Sequence, residues 1–368
     1  MSIDQVLAWR MARQYLEPPG AEGAVEVTRR LCGVQAQVAS AAALAVRVRL
    51  ATPPPDAVDR ALAERRLIKS WAMRGTLHLL PVDIAGAFLA LIAAVRRWEQ
   101  AAWQNTFVSA SQVARLGEAA VELLEGQVLS REDLLARVLE RTGDAQLAGH
   151  IRSGWGAVLK PLAWQGLLCY GPSEGNRVTF TSPSTWAPGW RGLPSVEQAA
   201  RVVIPAYLGA YGPATMAAFD SWLLRGQSGR AAVRAWFAAA HERLVEVQVD
   251  GQTAFARAED VDELAAARPS STVRLLPGFD QYILGPGTGD TRVIPAAHRP
   301  NVSRTAGWIS PVVVFGGRVV GTWEARGGNL ELRLFPESPR PPADVLEAEA
   351  ARMTALLANQ PPDLPGPS

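Results

Sequence analysis

Lysine is nearly missing from this chain: only Lys69 and Lys160 stand against 35 arginines. Arginine forks suit phosphates and base edges, but a GC-rich genome, which enriches Arg, Ala, Gly and Pro together, gives the same composition. Cysteine is almost as scarce. Cys32 and Cys169 lie far apart with no CxxC spacing or histidine partner, so neither a disulfide framework nor a zinc site is written in, and both read as small buried apolar residues. The four histidines, His78, His150, His241 and His298, are scattered singly. HExxH, P-loop and GxSxG patterns are absent, and Gly285–Asp290 (GPGTGD) lacks the strand and glycine spacing of a dinucleotide fingerprint. No metal or nucleotide cofactor is therefore expected. There is no run of about 20 apolar residues to span a membrane. Asp4 and the alternating N-terminus lack the apolar core of a signal peptide. A cytoplasmic, nucleoid-associated monomer is expected.

What is present is the composition of a globular protein, 48% hydrophobic and 20% charged over 368 residues. That length exceeds one ordinary core and predicts several units. The net charge of +2 is unevenly spread: residues 1–100 hold 13 basic and 9 acidic side chains, so the positive surplus sits at the N-terminal end.

Periodicity and punctuation predict helices over 3–16, 24–34, 40–49 and 57–66, with Pro53–Pro55 breaking the chain and Asp56 as a cap. Extended segments follow around Gly75, over 68–80. The pattern returns with helices over 111–125, 131–142 and 148–167, and strands over 168–170 and 177–181 joined by a turn at 171–176. It returns again with helices over 196–210, 213–223 and 229–240, and a hairpin at 244–256 centred on Asp250-Gly251. After about residue 270 strands and glycines dominate: 272–276, 282–284, 312–315, 318–323 and 330–334. A closing helix over 342–359 and a tail, 361–368, end the chain. Three helix-helix-helix-hairpin repeats predict an α+β fold of tandem winged-helix units, at 1–100, 101–190 and 191–268. A β-rich domain at 269–341 and a C-terminal helix and tail at 342–368 complete it. The commonest use of winged helices is docking on DNA, although fold does not fix function.

The informative segment is Gly33–Ser40 (GVQAQVAS). In a helix, positions i and i+2 point about 200° apart, whereas in an extended stretch they share a face. If Gln35 and Gln37 serve one site, the helix must end near Gln35; the residues alone also allow two polar groups at a helix end. Arg74 and His78, if strand-like, share a face and can contact the DNA backbone or a lesion, or lie buried in the hairpin. Arg299 and Arg304 flank Asn301 in a polar loop that suits phosphate. Trp71 and Trp323 read as packing residues.

Five segments in order resemble one family. Gln35-Ala36-Gln37 after an Arg-Arg-Leu helix, Trp71–His78 (WAMRGTLH), Tyr211–Thr215 (YGPAT), Leu275–Asp280 (LLPGFD) and Gly317–Trp323 (GRVVGTW) together look like the AlkZ/YcaQ-like winged-helix DNA glycosylases. The resemblance implies a C-shaped molecule acting on double-stranded DNA that carries alkylated purines, without metal or nucleotide cofactor. It also implies a catalytic Gln-aliphatic-Gln motif, matched here by Gln35, Ala36 and Gln37. That branch resembles enzymes protecting producers of DNA-crosslinking natural products. The expected activity is monofunctional hydrolysis of the N-glycosidic bond of bulky or crosslinked N7-alkylguanine; the alternative is a non-catalytic winged-helix regulator or lesion-binding resistance protein. A concave, Arg-lined surface between the N-terminal unit and the β domain is expected to take the DNA.

Overall fold

The computed structural model describes residues 1–152, 156–173, 175, 177–327 and 329–359. The expected tail 361–368 and positions 174 and 176 of the expected turn at 171–176 lie outside them.

Twelve strands form three antiparallel sheets among the described residues. The first sheet collects β1 (Val34–Gln35), β2 (Leu67–Trp71), β3 (Leu77–Pro81), β4 (Leu129–Ser130), β5 (Cys169–Tyr170) and β6 (Thr179–Thr181), in the order β1-β3-β2-β5-β6-β4. A two-stranded ribbon pairs β7 (Leu244–Val249) with β8 (Gln252–Arg257). The third sheet takes β9 (Val273–Leu276), β10 (Val312–Phe315), β11 (Arg318–Arg326) and β12 (Asn329–Leu334), in the order β12-β11-β10-β9.

The repeated order predicted from sequence is present. Helices Ala24–Arg30, Ala39–Arg47 and Ala57–Ala63 precede the β2–β3 hairpin; Ala110–Leu124, Arg131–Thr142 and Ala145–Arg152 precede β5 and β6; Val196–Tyr211, Met216–Leu224 and Arg230–Ala239 precede β7 and β8. The first two hairpins do not stand apart. Lys69 of β2 pairs with Tyr170 of β5, so one sheet crosses the expected boundary near residue 100. Trp71 packs there against Tyr170 and Phe180 at 5.1 and 6.1 Å, a core role, as its sequence context suggests.

Three expectations are corrected. The helix predicted over 24–34 stops at Arg30. The stretch predicted as one helix over 148–167 is described as Ala145–Arg152 and Lys160–Trp164, with residues 153–155 outside the described set. Residues 282–284 are helical rather than extended, because Asp280 caps the Gln281–Leu284 turn through the Tyr282 amide. Sequence reading also missed the helix Val82–Ala94, which is apolar throughout except for Asp83 and is packed against Val196–Tyr211. A helix without a polar face shows no 3.6-residue contrast.

The β9–β12 sheet has its own core, into which the N-terminal helix Ile3–Arg13 sends Leu7 and Met11. Arg49 of the first unit donates both guanidinium nitrogens to the Asp280 carboxylate at 2.7 and 2.8 Å, with neither side chain exposed. Arg10, equally buried, donates to the carbonyls of Gly212 and Pro213. The Arg49–Asp280 pair ties the β domain to the unit that holds the two glutamines, and Arg10 ties the N-terminal helix to the third helical unit. Both cysteines are free and buried. No described helix is long and apolar enough to cross a membrane.

Candidate active site

The site begins where helix Ala24–Arg30 gives way to strand. Cys32 (φ 54°) and Gly33 (φ 99°) take left-handed conformations, and their amides return to the carbonyls of Arg29 and Thr28 at 3.1 and 2.8 Å, closing the helix end. A Cβ on Gly33 would come within 2.9 Å of Leu80 Cδ2 and 3.0 Å of Met73 Cε, so glycine is needed for space as well as for φ. The Leu31 carbonyl accepts from the Tyr211 hydroxyl at 2.5 Å, which ties this turn to the long helix Val196–Tyr211.

The chain then runs extended along the edge of the first sheet. Val34 pairs with Leu79 and Gln35 with His78, and the Ala36 amide donates to the Leu77 carbonyl at 2.8 Å. The ladder stops there. Its next acceptor is a side chain: Gln37 Oε1 takes the Leu77 amide at 3.3 Å. Strand geometry rather than helix therefore governs the glutamine pair, with different exposure for its two members. Gln35 is 7% exposed, whereas Gln37 is open to solvent.

Arg74 sits in the loop between β2 and β3 with φ 58°. It donates Nη2 to Gln35 Oε1 and Nη1 to the Trp222 carbonyl, both at 3.1 Å. Burial lowers its pKa to about 10, which leaves it charged at neutral pH. His78 is fully buried, and Nδ1 donates to the Thr76 carbonyl at 3.0 Å while Nε2 has no partner. Burial first, and then the charge of Arg74, push His78 down to about 3. The ring is neutral, and its lack of exposed surface removes it from direct contact with nucleic acid. The contact expected for His78 is thus corrected: it faces Gln35 and Ser70 across the sheet instead.

Beyond Gln37 the chain enters helix Ala39–Arg47, whose first turn lines a cavity of about 250 Å³ shared with the β domain. Val38 and Leu44 form one wall; Pro277, Phe279, Trp308 and Trp323 form the other. Phe279 and Trp308 meet edge to face at 5.1 Å, and Trp308 is 46% exposed. Trp323 is fixed by its Nε1 bond to the Leu276 carbonyl, in keeping with a packing role. Among the described residues no ionisable side chain lines this groove. Arg304 is exposed, and its amide donates to the carbonyl of Trp308, a groove residue, at 2.8 Å. Arg299 is also exposed and is tied to the Thr288 carbonyl at 3.1 Å. The structure thus gathers Gln35, Gln37, Arg74 and His78 into one cluster, whereas neither Arg299 nor Arg304 is among the residues that line the groove. Sequence reading gave no role to Phe279 or Trp308, although Phe279 falls inside the LLPGFD segment. Among the described residues no three His, Cys, Asp or Glu side chains are grouped to hold a metal ion.

Comparisons with known proteins fit this geometry. The profile of the family described as "DNA glycosylase AlkZ-like" matches residues 28–356. The chain is 48% identical over 351 residues to an "Interstrand DNA cross-link repair glycosylase" of Streptomyces sahachiroi, covering 95% of each protein. The solved structure of Streptomyces sahachiroi DNA glycosylase AlkZ superposes with a TM-score of 0.94 at 46% identity, covering 98% of this chain and 97% of that one.

Proposed function

The chain belongs to the AlkZ-like DNA glycosylase family, and from that premise we propose that it hydrolyses the N-glycosidic bond of bulky or crosslinked N7-alkylguanine in double-stranded DNA, using Gln35 and Gln37. One observation carries this reading: a solvent-exposed Gln37 stands beside a largely buried, hydrogen-bonded Gln35 at a sheet edge, next to an uncharged groove. The relative named for interstrand cross-link repair supports the substrate class.

Alkylation at N7 gives the purine a positive charge, so the C1′–N9 electron pair leaves with the base and neutralises it. No general acid is required. Water adds to C1′ of the oxocarbenium-like sugar, and its proton passes to solvent, because a carboxamide does not hold a proton at neutral pH. Gln37 Oε1 has two lone pairs; the Leu77 amide takes one, and the other can orient the water. Neither glutamine can form a Schiff base, so the product is an abasic site without strand cleavage. Arg299 and Arg304 are assigned to phosphate, and the apolar groove to the lesion. We assign a self-resistance role as well, which a host strain deleted for the gene tests through its sensitivity to a DNA-alkylating metabolite.

Single-turnover release of N7-alkylguanine from duplex DNA tests the proposal. Gln37→Ala is expected to slow release by about 10²–10³, the usual cost of one oriented polar contact in a transition state, with lesion binding unchanged. Release at the native rate would remove Gln37 from the chemistry, and no release by the native protein would favour a non-catalytic binder.

A further inference from the structure

We infer that Arg74 is a positioning residue that fixes the Gln35 carboxamide with its oxygen inward and its amide hydrogens outward, so that Gln35 enters the reaction as a hydrogen-bond donor. The inference rests on the proposed glycosylase reading and deepens it.

The geometry leaves one orientation. Arginine has only donors, so the atom of Gln35 facing Arg74 Nη2 at 3.1 Å must be the oxygen. No described protein group takes the Gln35 Nε2 hydrogens, and Nε2 is not among the buried atoms left without a partner, so it reaches solvent-accessible space. Arg74 is itself held at its other end. Trp222 lies in the last turn of helix Met216–Leu224, where carbonyls lack intrahelical partners, and its oxygen accepts Arg74 Nη1 at 3.1 Å. One planar guanidinium therefore spans two acceptors, a fit that an ammonium cannot copy. The lowered pKa of Arg74 agrees with this enclosure.

The two glutamines then have complementary tasks. Gln35 Nε2 donates to the oxygen of the attacking water, and Gln37 Oε1 accepts one of its hydrogens. The remaining lone pair of the water is left for C1′. Arg74, expected from sequence to contact DNA, acts instead through Gln35, and it links the third helical repeat to the catalytic strand.

A double-variant cycle tests this under single-turnover conditions with saturating enzyme on N7-alkylguanine duplex. Arg74→Ala is expected to slow base release by about 10- to 100-fold, as misplacement of a catalytic group does, and to match Gln35→Ala. The Arg74→Ala/Gln35→Ala protein should be no slower than Gln35→Ala alone. Gln35→Glu keeps the Arg74 contact but removes the donor, and should be slow as well. Arg74→Lys, which keeps the stem and charge, serves if the alanine protein does not fold, and the same non-additivity is expected. Binding to undamaged duplex and its salt slope should not change. Two results would overturn the inference: full additivity of the two substitutions, or a salt slope reduced by about one, which marks a lost phosphate contact. Absence of release by the native protein would instead sink the glycosylase reading.

Discussion

Two glutamines that look alike in sequence occupy different environments. The motif was legible as a polar pair, and the requirement that the helix end near it was legible from the 200° separation of i and i+2. The partners were not. Arg74 lies 39 residues from Gln35, and the Trp222 carbonyl 148 residues from Arg74. A main-chain acceptor has no residue signature at all. His78 shows the same limit from the other side: its polarity suggests a surface contact, yet it is buried and neutral. This burial has a pH consequence. The folded protein holds His78 well below its ordinary value while the unfolded chain protonates near 6.5, so below that pH the unfolded state binds more protons and folding weakens. Stability is expected to fall between about pH 6.5 and pH 3 at up to roughly 1.4 kcal/mol per pH unit from this group. Urea melts of His78→Phe across that window should show a shallower pH slope; an unchanged slope would mean that His78 titrates normally.

At the level of elements, hairpins read well because turn residues mark them locally, as at Gly75 and Asp250-Gly251, where strands follow on both sides. Helix ends read less well. Nothing in Leu31-Cys32 announces the left-handed turn that converts helix to strand, since cysteine is not a residue that favours positive φ. The buried helix Val82–Ala94 was invisible because periodic contrast needs a solvent face. The Cys32-Gly33 turn leads directly into the strand that carries Gln35. Gly33→Ala would force a Cβ against Leu80 and Met73 at a positive φ. It is expected to cost about 1–3 kcal/mol in thermal unfolding and to slow base release by misplacing Gln35. A variant with native stability and rate would show that the turn relaxes freely.

Across the whole molecule, the fold class and the order of repeats were readable, whereas the merging of two hairpins into one sheet was not, because Lys69 and Tyr170 carry no pairing code across 100 residues. The buried Arg49–Asp280 pair joins the unit that carries the glutamines to the β domain that supplies the other wall of the groove. Asp280→Ala leaves Arg49 charged and unpaired, and is expected to cost about 3–5 kcal/mol in denaturant unfolding. An Arg49→Met/Asp280→Leu double substitution should cost less than Asp280→Ala alone, since both lose the Asp280 cap but replacing both charges with apolar groups removes the desolvation penalty. If the double change were the more harmful, the pair would be supplying more than mutual neutralisation.

The central claim is that an uncharged glutamine pair expels a base that is already cationic. Single-turnover base release puts it to the most direct test, comparing the native protein with Gln35→Ala/Gln37→Ala on duplexes carrying either N7-alkylguanine or uracil. The native protein should release N7-alkylguanine and leave uracil, which needs protonation that no carboxamide provides, and the double variant should release neither. Release of N7-alkylguanine by the double variant at the native rate, or efficient removal of uracil by the native protein, would contradict it.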